Sequence, residues 1–108
     1  MDHLLKISGA MYDETRIRII AFLSQYGECC VCELSASLDL GQSRISRHLS
    51  ILEEGGFVTM TRKGKWVYYA LCEQPSPLHQ AFLATINTLD IPLPPKIDAC
   101  RITKGDPL

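Results

Sequence analysis

The chain has 108 residues, of which 46% are apolar and 21% are charged, a composition typical of one globular domain rather than a disordered chain. No apolar run is long enough to cross a membrane, and the first residues lack the basic region and long apolar core of a signal peptide. The five cysteines, three of them within four positions, do not resemble a secreted disulfide framework, so we expect a reduced, cytoplasmic location.

Positive charge is concentrated in one part of the chain, although the formal net charge is −1. Residues 41–69 contain five lysines or arginines and two glutamates, whereas residues 1–40 contain six acidic and three basic side chains. Such a local excess is the electrostatic footprint that nucleic-acid binding requires. A chance cluster on a solvated face would have the same composition, so charge alone does not decide.

The N-terminal part predicts two helices. A short apolar helix over residues 3–11 is marginal by itself, so we expect it to pack on something, such as a second subunit. Asp13 is suited to cap a second, core-forming helix, and Gly27 is suited to end it.

Two further short helices joined by a tight turn are predicted next. Apolar residues recur at helical spacing from Val31 to Leu38, and we expect Gly41 to supply the turn. The following helix should end at the glycine pair 55–56. This order of elements is the helix-turn-helix plan.

The second helix of this pair has two chemically different faces. Ile45, Leu49 and Leu52 fall on one stripe and should face the core, while hydroxyl and basic side chains gather on the opposite side. His48 lies nearer the apolar stripe, so either a partly buried, hydrogen-bonded histidine or a contact to DNA fits its position.

A β-hairpin is predicted directly after these helices. The segments Phe57–Arg62 and Lys65–Leu71 are rich in aromatic and β-branched residues, and the link Lys63-Gly64 suits a two-residue turn. The basic tip of such a wing can hold phosphates beside a groove. An ordinary solvated hairpin is the alternative.

The sequence ends with a predicted amphipathic helix and a tail. Ser76-Pro77 is a typical helix start, and the apolar face that follows could complete the core or pair with a second subunit. Prolines and a glycine interrupt any regular element from Pro92 onward. We therefore expect one domain over residues 1–91, mainly α-helical with a small β-hairpin, and an extended tail over residues 92–108.

Three motifs resemble the ArsR/SmtB family of dimeric winged-helix repressors. The run ECCVCEL at 28–34 is similar to the arsenic-sensing signature ELCVCDL, ISRHL at 45–49 to the recognition helix, and GKWVYY at 64–69 to the second wing strand. The resemblance implies a winged helix-turn-helix homodimer that binds double-stranded operator DNA upstream of resistance genes and is released by metal. It implies no permanent cofactor and no membrane.

By this resemblance, side chains of the second helix and of the wing would contact DNA. In the helix, expected in the major groove, they are Gln42, Ser43, Arg44, Ser46, Arg47 and His48. In the wing, expected at the backbone or the minor groove, they are Arg62, Lys63 and Lys65. Arginine suits this work because it can make bidentate contacts to guanine.

Crowded thiols predict a site for a soft or thiophilic ion. Cys30 and Cys32 would suit trivalent arsenic or antimony, copper(I), zinc or cadmium, and the resemblance makes As(III) or Sb(III) the expected inducer. Residues two apart in an ideal helix point about 200° away from each other. We therefore expect ion binding to distort the start of this helix and to tilt the DNA-reading helix.

The third thiolate has more than one candidate. The family's arsenic pattern has a cysteine where this chain has Ser35. Cys29 is adjacent to the pair and is preferred, whereas Cys100 could reach in from the tail of either subunit. Cys72 or a two-thiol site are the remaining alternatives.

Other functions fit the same elements. A redox or persulfide sensor would switch by a disulfide from Cys30 or Cys32 to Cys100, and a winged helix could instead bind a protein. We do not expect an enzyme, because the sequence contains no recognisable cofactor motif or oriented acid–base pair.

Overall fold

The structure, a computed structural model, describes residues 1–97. In this range the elements are α1 (Asp2–Ala10), α2 (Glu14–Tyr26), β1 (Cys29–Cys30), α3 (Val31–Leu38), α4 (Gln42–Glu54), β2 (Val58–Lys63), β3 (Trp66–Leu71) and α5 (Pro77–Thr88). The predicted fold class is confirmed: α3 and α4 form the helix-turn-helix, and β2 and β3 form the wing. None of the helices within residues 1–97 has the length and apolar character needed to span a membrane.

Helix α2 begins and ends where the sequence predicts, and α5 begins where it predicts. The Asp13 side chain accepts a hydrogen bond from the backbone N–H of Arg16 at 3.1 Å, and α2 stops at Gly27, whose φ is 79°. Ser76 caps α5 in the same way, with Pro77 in its first turn. These boundaries are determined by local chemistry.

The turn between α3 and α4 contains one residue with a left-handed backbone. Asp39 takes the left-handed conformation, with a φ of 56°, whereas Gly41 has an ordinary φ of −61° and precedes the first residue of α4. Asp and Asn tolerate this conformation better than most residues, because their short side chains can bond locally. The link 39–41 therefore contains Gly41, as predicted, but Asp39 rather than Gly41 supplies its left-handed residue.

The wing differs from its prediction by one residue in the turn. Lys63 pairs with Trp66, so the linking residues are Gly64 and Lys65 rather than Lys63 and Gly64. Gly64 has a φ of 64°, which a residue with a Cβ rarely adopts.

A further strand, which the sequence analysis missed, completes the sheet. Cys29 and Cys30 of β1 pair antiparallel with Tyr69 and Tyr68 of β3, and the strand order is β1-β3-β2. Two residues are too few to show an alternating pattern in the sequence. The pairing attaches the cysteine run directly to the wing.

The apolar core lies where α2, α3, α4 and the sheet meet, and the two terminal helices cover it only in part. Its fully buried side chains include Phe22, Leu34, Ile45, Leu49, Leu52 and Phe57. Ile7 and Ala10 bury one face of α1, but Leu4 and Leu5 on the same helix are 50% and 61% exposed. The structure thus leaves apolar surface on α1 uncovered.

After α5 the chain has no regular secondary structure up to the end of the described residues. Residues 91–97, the C-terminal strap, return to α3: the N–H of Ile97 donates to Ser37 Oγ at 2.8 Å, and Lys96 Nζ lies 3.9 Å from Glu33 Oε2. Cys100 and the rest of residues 98–108 lie outside the described residues.

Candidate DNA-binding surface and thiol site

One face of α4 presents a continuous set of polar and basic side chains to solvent. Ile45, Leu49 and Leu52 bury the other face, as the helical period predicts. The exposed set contains five of the six predicted DNA-contacting residues of this helix, namely Gln42, Ser43, Arg44, Ser46 and Arg47. The helix is therefore anchored on one side and accessible on the other.

His48, the sixth predicted residue, points inward. His48 is only 6% exposed, and its Nδ1 lies 3.2 Å from Nη1 of Arg16. Of the two interpretations that the sequence left open, the structure shows the buried, hydrogen-bonded histidine. His48 therefore does not share the outer face with Arg44 and Arg47.

Arg16 connects three helices at this position, and sequence reasoning missed it. Its Nε donates to the carbonyl of Ala10 at 2.8 Å and its Nη2 to the carbonyl of Gly9 at 3.3 Å, both at the end of α1. Its Nη1 contacts His48 of α4 and lies 3.9 Å from the Asp13 carboxylate. A cation is favourable at the carboxyl end of a helix, and through these contacts Arg16 ties α4 to α1.

The ionisable groups around Arg16 have shifted pKa values. Burial lowers the pKa of His48 below its ordinary 6.5; Asp13 opposes this shift, while the nearby arginines reinforce it. Burial alone would raise the pKa of Asp13. The hydrogen bond from the backbone N–H of Arg16 and the positive charge of the Arg16 side chain outweigh this effect, and the pKa of Asp13 lies below its ordinary value. His48 is therefore neutral in the folded protein near pH 7.

The wing tip carries the three basic residues expected there, and all of them are exposed. Lys63 Nζ lies 2.7 Å from Glu28 Oε1 and 4.9 Å from the centre of the Tyr68 ring. The hydrogen bond to Glu28 raises the pKa of Lys63. Because Glu28 directly precedes the cysteine run, a surface ion pair joins the wing tip to the segment that carries the thiols.

Cys30 lies at the junction of β1 and α3. Its backbone is extended, with φ −83° and ψ 164°, and its N–H donates to the Glu33 carboxylate at 3.0 Å. Cys32 is the second residue of α3. The prediction that Cys30 and Cys32 both lie within a helix was wrong, because Cys30 precedes the first helical residue. Helical spacing therefore does not hold the two sulfurs apart.

Cys29 and Cys30 are both buried, but neighbouring residues of a strand point to opposite faces. Cys29 belongs to the apolar core, and its thiol donates to the Gly27 carbonyl at 3.3 Å. Within residues 1–97, no three His, Cys, Asp or Glu side chains form a group that could hold a metal ion. Cys30 and Cys32 are both disulfide-bonded in the structure.

Ser35 occupies the position where the family's arsenic pattern has its last cysteine. Its hydroxyl donates to the carbonyl of Leu40, and its own carbonyl accepts from the N–H of Leu40 at 3.1 Å. Both bonds close the turn between α3 and α4. In this chain the position therefore supports the helix-turn-helix.

Comparisons with known proteins agree with this geometry. Residues 13–60 match the family model described as bacterial regulatory protein, arsR family. The arsenical resistance operon repressor of Escherichia coli K12 is 51% identical over 67 residues, which are 62% of this chain and 57% of that protein. The arsenic resistance transcriptional regulator ArsR2 of Pseudomonas putida KT2440 is 42% identical over 79 residues, 72% of this chain and 69% of that protein.

A solved structure shows the same fold. The homodimeric winged helix-turn-helix DNA-binding domain Mb0332 from Mycobacterium bovis has a TM-score of 0.69 and 23% identity, over 81% of this chain and 77% of that chain. The helix pair and the basic hairpin thus define a winged helix-turn-helix protein. The chain belongs to the ArsR family of bacterial regulatory proteins. It spans little more than half the length of the E. coli repressor.

The burial of His48 predicts a pH-dependent stability. Because its lowered pKa makes the folded chain bind fewer protons than the unfolded chain, the contribution of His48 to stability should be fully present above about pH 7.5 and should be lost as the pH drops below about 6.5. In the variant His48→Gln, the glutamine remains a polar partner for Arg16 but does not titrate. The variant should therefore show a weaker dependence of the free energy of unfolding on pH.

Urea unfolding between about pH 5.5 and 7.5 measures the slope. His3→Gln, a change at an exposed residue of α1, is the matched control and should leave the slope unchanged. An unaltered slope in the His48 variant would assign the dependence to another group.

Proposed function

We propose that the protein is a metalloid-responsive transcriptional repressor, which binds operator DNA as a homodimer and is released when arsenite or antimonite binds the thiolates of Cys30 and Cys32. One observation carries the proposal: the cysteine pair lies at the junction of β1, which pairs with the wing strand β3, and α3, which packs against α4. The arsenical resistance relatives support a metalloid as the inducer.

The exposed face of α4 supports binding in the major groove, which is wide enough to admit a helix. Arg44 and Arg47 are both free to reach base edges, and the hydroxyls of Ser43 and Ser46 lie beside them. The basic side chains at the wing tip suit phosphate contacts, which position the protein without reading sequence. His48 contributes by holding α4 through Arg16 rather than by touching DNA.

A homodimer is supported by the apolar surface that the single chain leaves uncovered. Leu4 and Leu5 of α1 are 50% and 61% exposed, and Leu89, just after α5, is 52% exposed. The related Mb0332 domain is homodimeric. A two-fold dimer would place its half-sites about 34 Å, or one helical turn of DNA, apart.

The chemistry of the cysteine pair supports a thiophilic ligand. Once reduced, Cys30 and Cys32 offer two soft sulfur donors at one point, and soft thiolates select soft ions. The two cysteines lie at the amino end of α3, where the N–H groups of the first turn and the helix dipole stabilise negative charge. This position favours the thiolate form of both side chains. No step of the proposal requires another cofactor.

Two connections would carry the ligand's effect to the DNA-binding surface. Movement of α3 would shift α4 through the turn that the Ser35–Leu40 hydrogen bonds close. Movement of Cys30 would disturb its pairing with Tyr68 and, through Glu28, the position of Lys63 in the wing. Both halves of the DNA-binding surface would respond to one binding event.

Arg47→Ala tests the DNA-facing helix. If Arg47 reads a guanine, the change should weaken operator binding by about 1–3 kcal/mol and relax the base preference at one position. If it contacts phosphate, binding should weaken equally on all sequences and the salt slope should fall by about 1. Fluorescence anisotropy at several salt concentrations, on DNA from upstream of the gene, separates the two.

Lys6→Ala removes an equal charge from an exposed position on α1 and is the control. An Arg47 variant that binds as tightly as Lys6→Ala would exclude α4 as the reading helix.

Replacing both Cys30 and Cys32 with serine tests the inducer site. The double variant should bind operator DNA like the original protein but should no longer be released by arsenite, because the sulfur donors are gone. Anisotropy titrations with arsenite, antimonite and zinc, in a thiol-free reductant, measure the release. Cys72→Ser, which alters a half-buried thiol just after β3, should respond to arsenite like the original protein. Equal DNA affinity with and without arsenite in the unaltered protein contradicts the proposal.

A redox sensor is a second candidate, which the disulfide-bonded state of Cys30 and Cys32 favours. Hydrogen peroxide would accept the two electrons released as a disulfide forms from two thiols. Release from DNA by peroxide, reversal by reductant and indifference to arsenite would establish this function in place of the first.

A further inference from the structure

One basic side chain of the wing tip is directed toward the cysteine segment. Lys63 Nζ lies 2.7 Å from Oε1 of Glu28, and the same ammonium lies 4.9 Å from the centre of the Tyr68 ring. Within residues 1–97, no carboxylate lies within ion-pair distance of the other two wing-tip cations, Arg62 and Lys65. Lys63 therefore differs from its neighbours in having an acidic partner in its own chain.

The register of the sheet brings the two residues of this ion pair together. Lys63 ends β2 and pairs with Trp66, whereas Glu28 directly precedes β1, which lies on the far side of β3. Residues two apart on a strand share a face, so the Lys63 side chain lies on the face of Thr61, whose partner on β3 is Tyr68. The ammonium thus crosses β3 over the Tyr68 ring to reach Glu28.

Both partners of the ion pair are accessible to solvent. The side chain of Lys63 is 55% exposed and that of Glu28 is 36% exposed. An exposed ion pair gains little free energy, because water already solvates each charge and salt screens their attraction. The pair can therefore open when a stronger source of negative charge, such as the DNA backbone, approaches the wing.

The Lys63 ammonium cannot hold both anions without an energetic cost. Two acceptors on one ammonium lie about 4.5 Å apart, and two like charges at that distance repel each other. A backbone phosphate that reaches Lys63 must therefore displace the Glu28 carboxylate or bind against its charge.

We propose that Glu28 is an affinity-determining residue of the DNA-binding surface, whose carboxylate competes with a DNA backbone phosphate for the Lys63 ammonium. The inference rests on the proposed function, because it requires the wing to meet DNA. The free protein holds one of its wing-tip cations away from DNA, and DNA binding includes the opening of this ion pair. Glu28 therefore makes DNA binding weaker and less dependent on salt than it would be without the competition.

Glu28→Gln tests the competition, since glutamine keeps the shape of the side chain but removes its charge. Fluorescence anisotropy of the reduced, arsenite-free protein, on labelled DNA from upstream of the gene, measures affinity between about 50 and 200 mM salt. We expect binding about two- to fivefold tighter than that of the unaltered protein, the range typical of an exposed ion pair. The plot of log affinity against log salt concentration should steepen by up to about 0.9, because one more phosphate is neutralised.

Two comparisons separate the ion pair from the loss of one negative charge. Glu73→Gln removes an equal charge from an exposed position just after β3 and should raise the affinity less than Glu28→Gln does. In a chain that already carries Lys63→Gln, Glu28→Gln should have no larger effect than Glu73→Gln, because the cation that the carboxylate holds is gone. Since the competing anion is a backbone phosphate, the gain should be equal on a scrambled sequence of the same length.

Three results would overturn the inference. Weaker binding by Glu28→Gln than by the unaltered protein would show that Glu28 positions Lys63 for DNA. A gain that only equals that of Glu73→Gln, or that persists in full alongside Lys63→Gln, would assign the effect to overall charge. A gain confined to the operator sequence would assign Lys63 to base reading.

These results are distinguishable from failure of the proposed function. Salt-dependent DNA binding that Glu28→Gln leaves unchanged overturns only the assignment of Glu28. Absence of salt-dependent DNA binding in every variant overturns the DNA-binding role as well.

Discussion

The pairing of Cys29 and Cys30 with Tyr69 and Tyr68 determines how the cysteine-containing segment and helix α3 are arranged. Since successive residues of a strand point to opposite faces, this register sends Cys29 into the core and leaves Cys30 at the start of α3. A slip of one residue would exchange their roles. The same pairing makes the wing strand β3 the immediate neighbour of Cys30, and the Glu28–Lys63 ion pair extends the contact to the wing tip.

Helix α4 is held by contacts on several sides, so a shift of a neighbouring element would also act on α4. Its apolar stripe fills the core, its first turn follows α3, and His48 meets Arg16, which also binds the last carbonyls of α1. Packed interiors respond to displacement by rearranging as units rather than by deforming locally. A shift of α3 would therefore also displace α4 and α1, the helix proposed to take part in dimerisation.

Glu33 and Ser35 show how the third helix combines two tasks in eight residues. Glu33 binds the backbone of Cys30 and the strap, while Ser35 closes the turn to α4. With a serine at Ser35, the helix itself contains one thiol of the proposed site, Cys32, next to Cys30 at its cap. The C-terminal strap lies against the same helix through Lys96 and Ile97.

The sequence by itself determined the features that depend on a few neighbouring residues. Asp13, Gly27 and Ser76 set helix ends through local hydrogen bonds and backbone preferences, and the period of Ile45, Leu49 and Leu52 separated the buried face of α4 from its exposed basic face. The motifs that resembled the ArsR family were also local, and the comparisons confirmed that membership.

Only the tertiary structure decided the features that depend on partners distant in the chain. The strand β1 exists because β3 lies beside it, His48 is buried because Arg16 meets it from α2, and the strap reaches Glu33 from 63 residues away in sequence. The contrast between Cys29 and Cys30 also arises from this pairing, since the two are chemically identical in the sequence. Local patterns carry no information about such contacts, because the two sides meet only after the chain has folded.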